Sequence, residues 1–345
     1  MKDEWKSILY EYAEGYHEPL IRADSDALKR LVDDTSYMEY RNRTIRRYHR
    51  DRKRRAIRPQ RCETHAKIVR ADVTDDAVTA VLQLGMKLTY IQAGERHDEE
   101  KVTLETITMR RGPNGWRIVR VEPFAQERPA EAAYVGTHAS GGQQTDAAAG
   151  SRPLLNTHLL YGWHSGPAPA DSRKQPYNRL RAKQYADQYW NSHNPDFLSF
   201  EVDCTNYVSQ CLLAGGAPMN YTGRRETGWW YQGRKAGREW WSYSWSVSHA
   251  LHHYLMTSRS GLRAELVQSP YELDLGDVII YDWDGDGRYQ HSTIVTGFDA
   301  AGEPLVNAHT ANSRARLWSY RDSPAWTEQT RYRFFHIADF FLVRY

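Results

Sequence analysis

"EVDCTNYVSQCLLAGG", residues 201 to 216, sets a cysteine directly after an aspartate, where a polar run gives way to a helical pattern. Val208, Leu212, Ala214 and Gly215 follow Cys204 at intervals that predict a buried helix over about 204 to 214, closed by the glycines. Cys204 then falls in the first turn, where backbone N–H groups are unpaired and the helix dipole favours a thiolate. The competing reading is a structural thiol at a helix start. Cys211, seven residues on and on the same face, reads as an inert core cysteine.

A thiol nucleophile needs a base. "LDLGDVIIYDWDGDGRYQHSTIVTGFDAAGEPLVNAHT", residues 273 to 310, predicts three strands at 277 to 282, 291 to 297 and 304 to 309, joined by turns rich in Gly and Asp. His291 opens the second strand, and in the third Asn307 and His309 alternate on one face with Leu305. A Cys at a helix start, a His on a strand and a polar side chain on the next strand supply a nucleophile, a base and an orienting group.

These residues resemble a known family. "DCTNYVSQ" is similar to the Asp-Cys-Ser/Thr-x-aromatic-Val signature of the NlpC/P60 and CHAP branch of papain-like cysteine peptidases, and "GDVIIYD", "HSTIVTG" and "LVNAHT" follow in that family's order. Together with "YNR" and "YA" further upstream they resemble the putative amidase domain of Bacillus-type bacteria, over residues 175 to 345. The resemblance implies an α+β, papain-like domain of helices packed on an antiparallel sheet. It implies a cysteine amidase or peptidase that cleaves an amide of a short peptide, including cell-wall peptides, through a thioester and without a required cofactor. Cys204 becomes the nucleophile, His291 the general base and Asn307 the orienting residue, with His309 as its rival. By the same resemblance Asp203 contacts a free amine of the substrate or braces the turn. The Cys204 N–H supplies half of an oxyanion hole, with the other donor expected near Tyr189. A non-catalytic module that binds peptide or cell wall on the same fold is the alternative.

Two further features stay open between readings. Asp282, Asp284 and Asp286 reproduce the opening of an EF-hand calcium loop, but Thr293 stands where the closing Glu belongs, and a tight Asp-Gly hairpin gives the same pattern. Five of the 12 tryptophans lie between 229 and 245, a density that lines a groove or fills a core. On the groove reading Trp229 and Trp230 bind substrate.

Residues 1 to 125 read as a smaller α+β domain. Trp5, Ile8, Leu9 and Tyr12 recur at helical spacing, and "SDALKRLVDD" offers a Ser cap before another helix. From Thr64 the period drops to two, with "GPNG" as a tight turn before "GWRIVRVEPF". The ending "NGWRIVRVEP" resembles the last strand of NTF2-like folds, a likeness that carries no activity with it and allows dimerisation through this domain. Residues 126 to 174, rich in Ala, Gly, Ser and Gln at their centre, read as a linker to the domain at 175 to 345.

At 345 residues the chain has length for two cores, and a charged fraction of 26% with 40% hydrophobic residues is that of a globular protein. A net charge of +3 does not by itself call for nucleic acid, and none is expected as a partner. The basic run "RNRTIRRYHRDRKRR" at 41 to 55 reads as a solvated helix face or a phosphate-binding surface. Three cysteines, with no CxxC pair, point to reduced thiols. No apolar run spans a membrane and no signal segment opens the sequence, so a cytoplasmic location is expected as written, or the exterior or cell wall if a signal has been removed.

Overall fold

A computed structural model describes residues 4–22, 26–128, 174–235 and 238–342. Most of the expected linker and the expected cap at Ser25 lie outside the described residues. The chain is α+β and clusters into two compact units that do not follow its order. The first takes residues 1–125, 298–303 and 311–326; the second takes 126–297, 304–310 and 327–345.

The first unit opens with helices α1 (Glu4–Tyr16), α2 (Asp26–Lys29) and α3 (Thr35–Arg54). Four strands follow, β1 (Arg58–Val73), β2 (Ala77–Gln92), β3 (Glu95–Gly112) and β4 (Gly115–Pro123). β3 is long enough to pair with β2 along one edge and, along the other, with β4 at its end and with β12 (Ser313–Leu317) near Lys101. Strict alternation on β2 sends Val78, Ala80, Leu82 and Leu84 into a core with Trp5, Leu9 and Tyr12 of α1. The β2–β3 turn puts Ala93 and Gly94 at φ 49° and 87°, the pair of positive values that a two-residue hairpin turn demands. The expected helix at "SDALKRLVDD" stops at Lys29, because Ile118 of β4 exchanges backbone hydrogen bonds with Leu31 and Asp33. The basic run is not a simple solvated face either: Arg41, Arg52 and Arg55 are buried, and Arg55 pairs with Asp299 at 2.6 Å.

The second unit contains β5 (Lys174–Pro176), α4 (Arg179–Tyr189), α5 (Cys204–Ala214), β6 (Tyr231–Lys235), β7 (Arg238–Trp241), α6 (Tyr243–Ser246), α7 (Ser248–Thr257) and β8 (Ala264–Val267). Then come β9 (Val278–Asp282), β10 (His291–Phe298), β11 (Pro304–Ala308), β13 (Arg331–Ile337) and β14 (Phe340–Leu342). Its main strands lie side by side in the order β11-β10-β9-β13-β8. One face, with Val278, Ile280, Ile294, Phe335 and Ile337, packs against Val208, Cys211 and Leu212 of α5 and Ala182 and Ala186 of α4. Helix α4 thus buries its alanines, while Leu180 is 56% exposed. Among the described residues no helix is long and apolar enough to cross a membrane.

Candidate active site

Helix α5 begins at Cys204, and what caps it is a side chain from 106 residues away. Thr310 Oγ1 accepts hydrogen bonds from the N–H groups of Asp203 (2.8 Å) and Cys204 (3.0 Å). Asp203 stands at the cap position but turns its carboxylate elsewhere. Oδ1 accepts from the Phe200 N–H (2.9 Å) and Asn206 Nδ2 (2.8 Å), and Oδ2 from His309 Nδ1 (2.7 Å), with His193 Nδ1 at 3.5 Å. Burial works to raise the Asp203 carboxyl, but the hydrogen bonds from His193 and His309 outweigh it and hold it below the usual carboxylate range. Of the two roles expected for Asp203, this geometry builds the brace.

Thr310 holds its place at a conformational cost. Its φ of +69° lies in the left-handed region, which a β-branched residue rarely enters. Such strain is worth about 1–3 kcal/mol and persists only where the surroundings overdetermine it. Here the hydroxyl ties the turn that follows β11 to the start of α5. The N–H expected as an oxyanion donor is therefore occupied by Thr310.

The Cys204 thiol is 2% exposed and reaches the Gln290 carbonyl oxygen at 4.0 Å, just before β10. Burial pushes the thiol up, partly offset by the Ser292 N–H and by Thr205. A helix N-terminus contributes about 0.3–1 kcal/mol, less than one pKa unit. Burial therefore wins over the dipole, and the expectation of a lowered thiol is corrected. Cys211 is fully buried and is pushed up further.

Strand β10 alternates at its head. Ser292 points to the helices, with its Oγ 3.2 Å from Thr205 Oγ1 and 2.8 Å from Ser248 Oγ. His291 therefore turns to the other face of the sheet. It stands opposite Tyr281 in register, with ring centroids 5.4 Å from Tyr281 and 5.9 Å from Trp283. Asn307 lies on the helix side: Nδ2 donates to Asp187 at 3.0 Å and Oδ1 accepts from Thr296 Oγ1 at 2.9 Å. His309 is on that side too, stacked on Tyr207 at 4.0 Å between Asp203 and the Tyr189 carbonyl, which accepts from Nε2 at 2.6 Å. Tyr189 thus presents an acceptor to the site. The structure gathers Cys204, Asp203, His309, His193 and Thr310, and sets the His291 ring and the Asn307 amide on different faces.

His193 and Thr310 were missed in the sequence. His193 sits in the irregular "WNSHNPD" with no period to recommend it. Thr310 is the last residue of "LVNAHT", in which Asn307 and His309 are the residues that the strand pattern singles out. His193, Asp203 and His309 also bring three ligand atoms within 4.8 Å of one another, but both imidazoles already share the same carboxylate oxygen.

The remaining expectations find other roles. Trp229 and Trp230 are 0% exposed, and their indole N–H groups donate to Ser209 Oγ and the Thr227 carbonyl. They fill a core and do not line a groove. Asp282 accepts from the N–H groups of Gly285 (2.8 Å) and Gly287 (2.9 Å), Asp286 from that of Arg288 (2.8 Å), and Asp284 pairs with Arg128 at 2.6 Å. That is how a tight Asp-Gly hairpin uses its carboxylates, and it does not fit three of them converging on calcium.

Comparison with known proteins places a family match on the segment that carries this site. Residues 176–335 match the model of a family described as a putative amidase domain. The chain is 48% identical to the uncharacterized protein YhbB of Bacillus subtilis (strain 168) over 189 residues, 52% of this chain and 59% of that protein. It is 29% identical to the uncharacterized protein YjcM of the same organism over 147 residues, 39% of this chain and 31% of that protein. It thus spans 59% of one relative's length and less of the other's. A solved structure, the intermembrane space region of chloroplast protein ARC6, aligns over 36% of this chain and 96% of its own at 7% identity, with a TM-score of 0.26. The family match falls on residues 176–335 and suggests amide hydrolysis as the chemistry of that segment.

Proposed function

We propose that the chain is a thiol-dependent amidase that cleaves an amide of a short peptide, cell-wall stem peptides being the first class to test. Cys204 attacks the carbonyl carbon as its proton passes to His291. The leaving amine takes that proton, and a thioester remains. Water, deprotonated by His291, then releases the acid and restores the thiol. The observation that carries this reading is the setting of Cys204, first residue of a buried helix with its sulfur at the backbone that leads into His291. The match to a putative amidase domain supports it.

On this reading the described arrangement is a closed resting state. The substrate carbonyl oxygen replaces Thr310 Oγ1 at the Cys204 N–H, and the head of β10 shifts to bring the imidazole to the sulfur. The test is release of new amine from a panel of peptide amides and muropeptides, in wild type, Cys204→Ala, His291→Ala and His193→Ala. The expected result is loss of turnover in Cys204→Ala, a loss of about 10²–10⁴ in His291→Ala, and retention within about tenfold in His193→Ala. Full turnover by folded Cys204→Ala would remove the nucleophile from the proposal.

The second reading, a binding module without catalysis, draws on the buried, raised thiol of Cys204. It predicts that the same peptides bind wild type and Cys204→Ala equally and that neither releases amine.

A further inference from the structure

At the start of α5 two imidazoles meet one buried carboxylate oxygen, and the partners of His309 ask for one proton more than a neutral ring carries. Its Nδ1 lies 2.7 Å from Asp203 Oδ2 and its Nε2 lies 2.6 Å from the Tyr189 carbonyl oxygen. The carbonyl is an acceptor only, and so is the Asp203 carboxylate, which its hydrogen bonds hold ionised at neutral pH. A neutral imidazole has one N–H, so one of the two places is filled by a second proton or by a metal ion. With Nε2–H donated to the carbonyl, the place to fill lies between Nδ1 and Oδ2. His193 brings a third ligand atom to that spot. Its Nδ1 is 3.5 Å from the same Oδ2, and the three ligand atoms lie within 4.8 Å of one another.

The spacing and the chemistry suit an ion. A metal about 2.0–2.2 Å from each ligand holds neighbouring ligand atoms about 3.0–3.4 Å apart, and the observed 2.7 and 3.5 Å fall on either side of that separation. Protons on both rings would set two cations against each other with ring centroids 5.1 Å apart, whereas one divalent ion serves both contacts and leaves both rings neutral. The surroundings already hold two of the ligands as outer partners do at metal sites. Asp203 Oδ1 accepts from the Phe200 N–H and Asn206 Nδ2, and His309 is fixed by the Tyr189 carbonyl and the face of Tyr207. Asp203 and His309 are each 3% exposed, but the His193 side chain is 53% exposed, so His193 is the ligand that swings to admit an ion from solvent. Two imidazoles with one carboxylate select a first-row transition metal over calcium or magnesium, which take oxygen ligands.

We propose that His193, Asp203 and His309 bind one divalent transition-metal ion, zinc foremost, with water completing the coordination on the His193 side. The ion takes the place of the proton between His309 Nδ1 and Asp203 Oδ2, and that proton passes to solvent. It pins the segment that carries His193 to the start of α5 and to the end of β11. The site does not rest on the amidase reading: the Cys204 sulfur lies toward the Gln290 carbonyl and is not one of the ligands.

The experiment strips the full chain with a chelator and titrates it at pH 7 with Zn²⁺, Co²⁺, Mg²⁺ and Ca²⁺, reading calorimetry, melting temperature and the cobalt absorption spectrum. Zinc and cobalt are expected to saturate a site at one ion per chain and raise the melting temperature, and magnesium and calcium to do neither. The cobalt spectrum should lack a sulfur-to-metal charge-transfer band. His193→Gln and His309→Gln should each weaken zinc at least tenfold. Cys204→Ala and His253→Gln should change its affinity less than threefold; the second removes an exposed pair on α7, His249 and His253, whose Nε2 atoms lie 3.1 Å apart and offer two imidazoles to an ion elsewhere. Circular dichroism checks each fold; if His309→Gln does not fold, His193→Gln, at an exposed position, carries the test. Absence of saturation in wild type, unchanged zinc affinity in folded His193→Gln, a sulfur-to-cobalt band, or loss of the site in Cys204→Ala or His253→Gln would overturn the proposal.

Discussion

Thr310 shows how much one side chain does at this site. Its hydroxyl takes two backbone N–H groups at the start of α5 while its backbone sits at φ +69°. Thr310→Val keeps the strain and removes the acceptor, so urea melts should show a loss of about 1–3 kcal/mol. Thr310→Asn keeps an acceptor on a residue that tolerates the left-handed region, and should cost less. A melt in which Val and Asn behave alike would dissociate the cap from stability. The places of Cys204 at a helix start, His291 at a strand start, and Asn307 and His309 in and just after the next strand were legible because these residues sit at recognisable offsets within strand and helix patterns. Their pairing was not. Which face of β10 carries His291 depends on one residue of register, and the cap on Cys204 comes from a turn whose geometry no periodicity encodes.

At the scale of elements, the period of the apolar residues was enough. Helix α5 runs over the predicted 204 to 214, and strands β9, β10 and β11 fall where 277 to 282, 291 to 297 and 304 to 309 were expected. The expectation failed where tertiary pairing overrode local pattern, as at Leu31 to Asp33, which join β4 rather than extend α2. The closure of α5 illustrates a packing limit. A Cβ on Gly215 would stand 2.3 Å from Tyr177 Cε2 and 3.1 Å from Ala182 of α4. Gly215→Ala should therefore destabilise by about 1–3 kcal/mol through overpacking, read as a lowered urea midpoint. Tyr177→Phe would not relieve it, because the clash is with the ring; rescue by that variant would locate the strain elsewhere.

For the whole molecule, the division into units cuts across the family match. Residues 298–303 and 311–326 lie inside the matched segment yet cluster with residues 1–125, where Asp299 pairs with Arg55 and Asp322 with Lys101. A fragment of residues 175–345 lacks those partners. It should melt at a lower temperature than the full chain and bind a hydrophobic dye, whereas equal melting would show that residues 175–345 do not depend on those contacts. No composition shift marks this exchange, which is why a boundary between 126 and 174 was all the sequence offered. Within the second unit Arg179 joins α4 to the sheet, donating to buried Asp277 at 2.6 Å, while His336 donates to the same carboxylate at 2.7 Å. Removing Arg179 leaves Asp277 buried without its main counter-charge, so Arg179→Met should cost about 3–5 kcal/mol in a chemical melt. His336 is raised above the usual imidazole value by that hydrogen bond, against burial. Its contribution is thus full below the unfolded value of about 6.5 and lost as pH rises through the raised folded value. His336→Gln should lower the urea midpoint at pH 6 and change it little at pH 9.

The decisive measurement is the rate of iodoacetamide alkylation at Cys62, Cys204 and Cys211, read by peptide mass mapping from pH 5 to 10 in wild type and His291→Ala. The thiol that performs chemistry must admit a small amide electrophile, and the Cys204 thiol is raised less than that of Cys211. Alkylation of Cys204 at least ten times faster than Cys211 at pH 8, slowed in His291→Ala, is the expected result. Equal, slow labelling of Cys204 and Cys211 in both folded proteins would contradict the amidase reading and leave Cys204 a structural thiol.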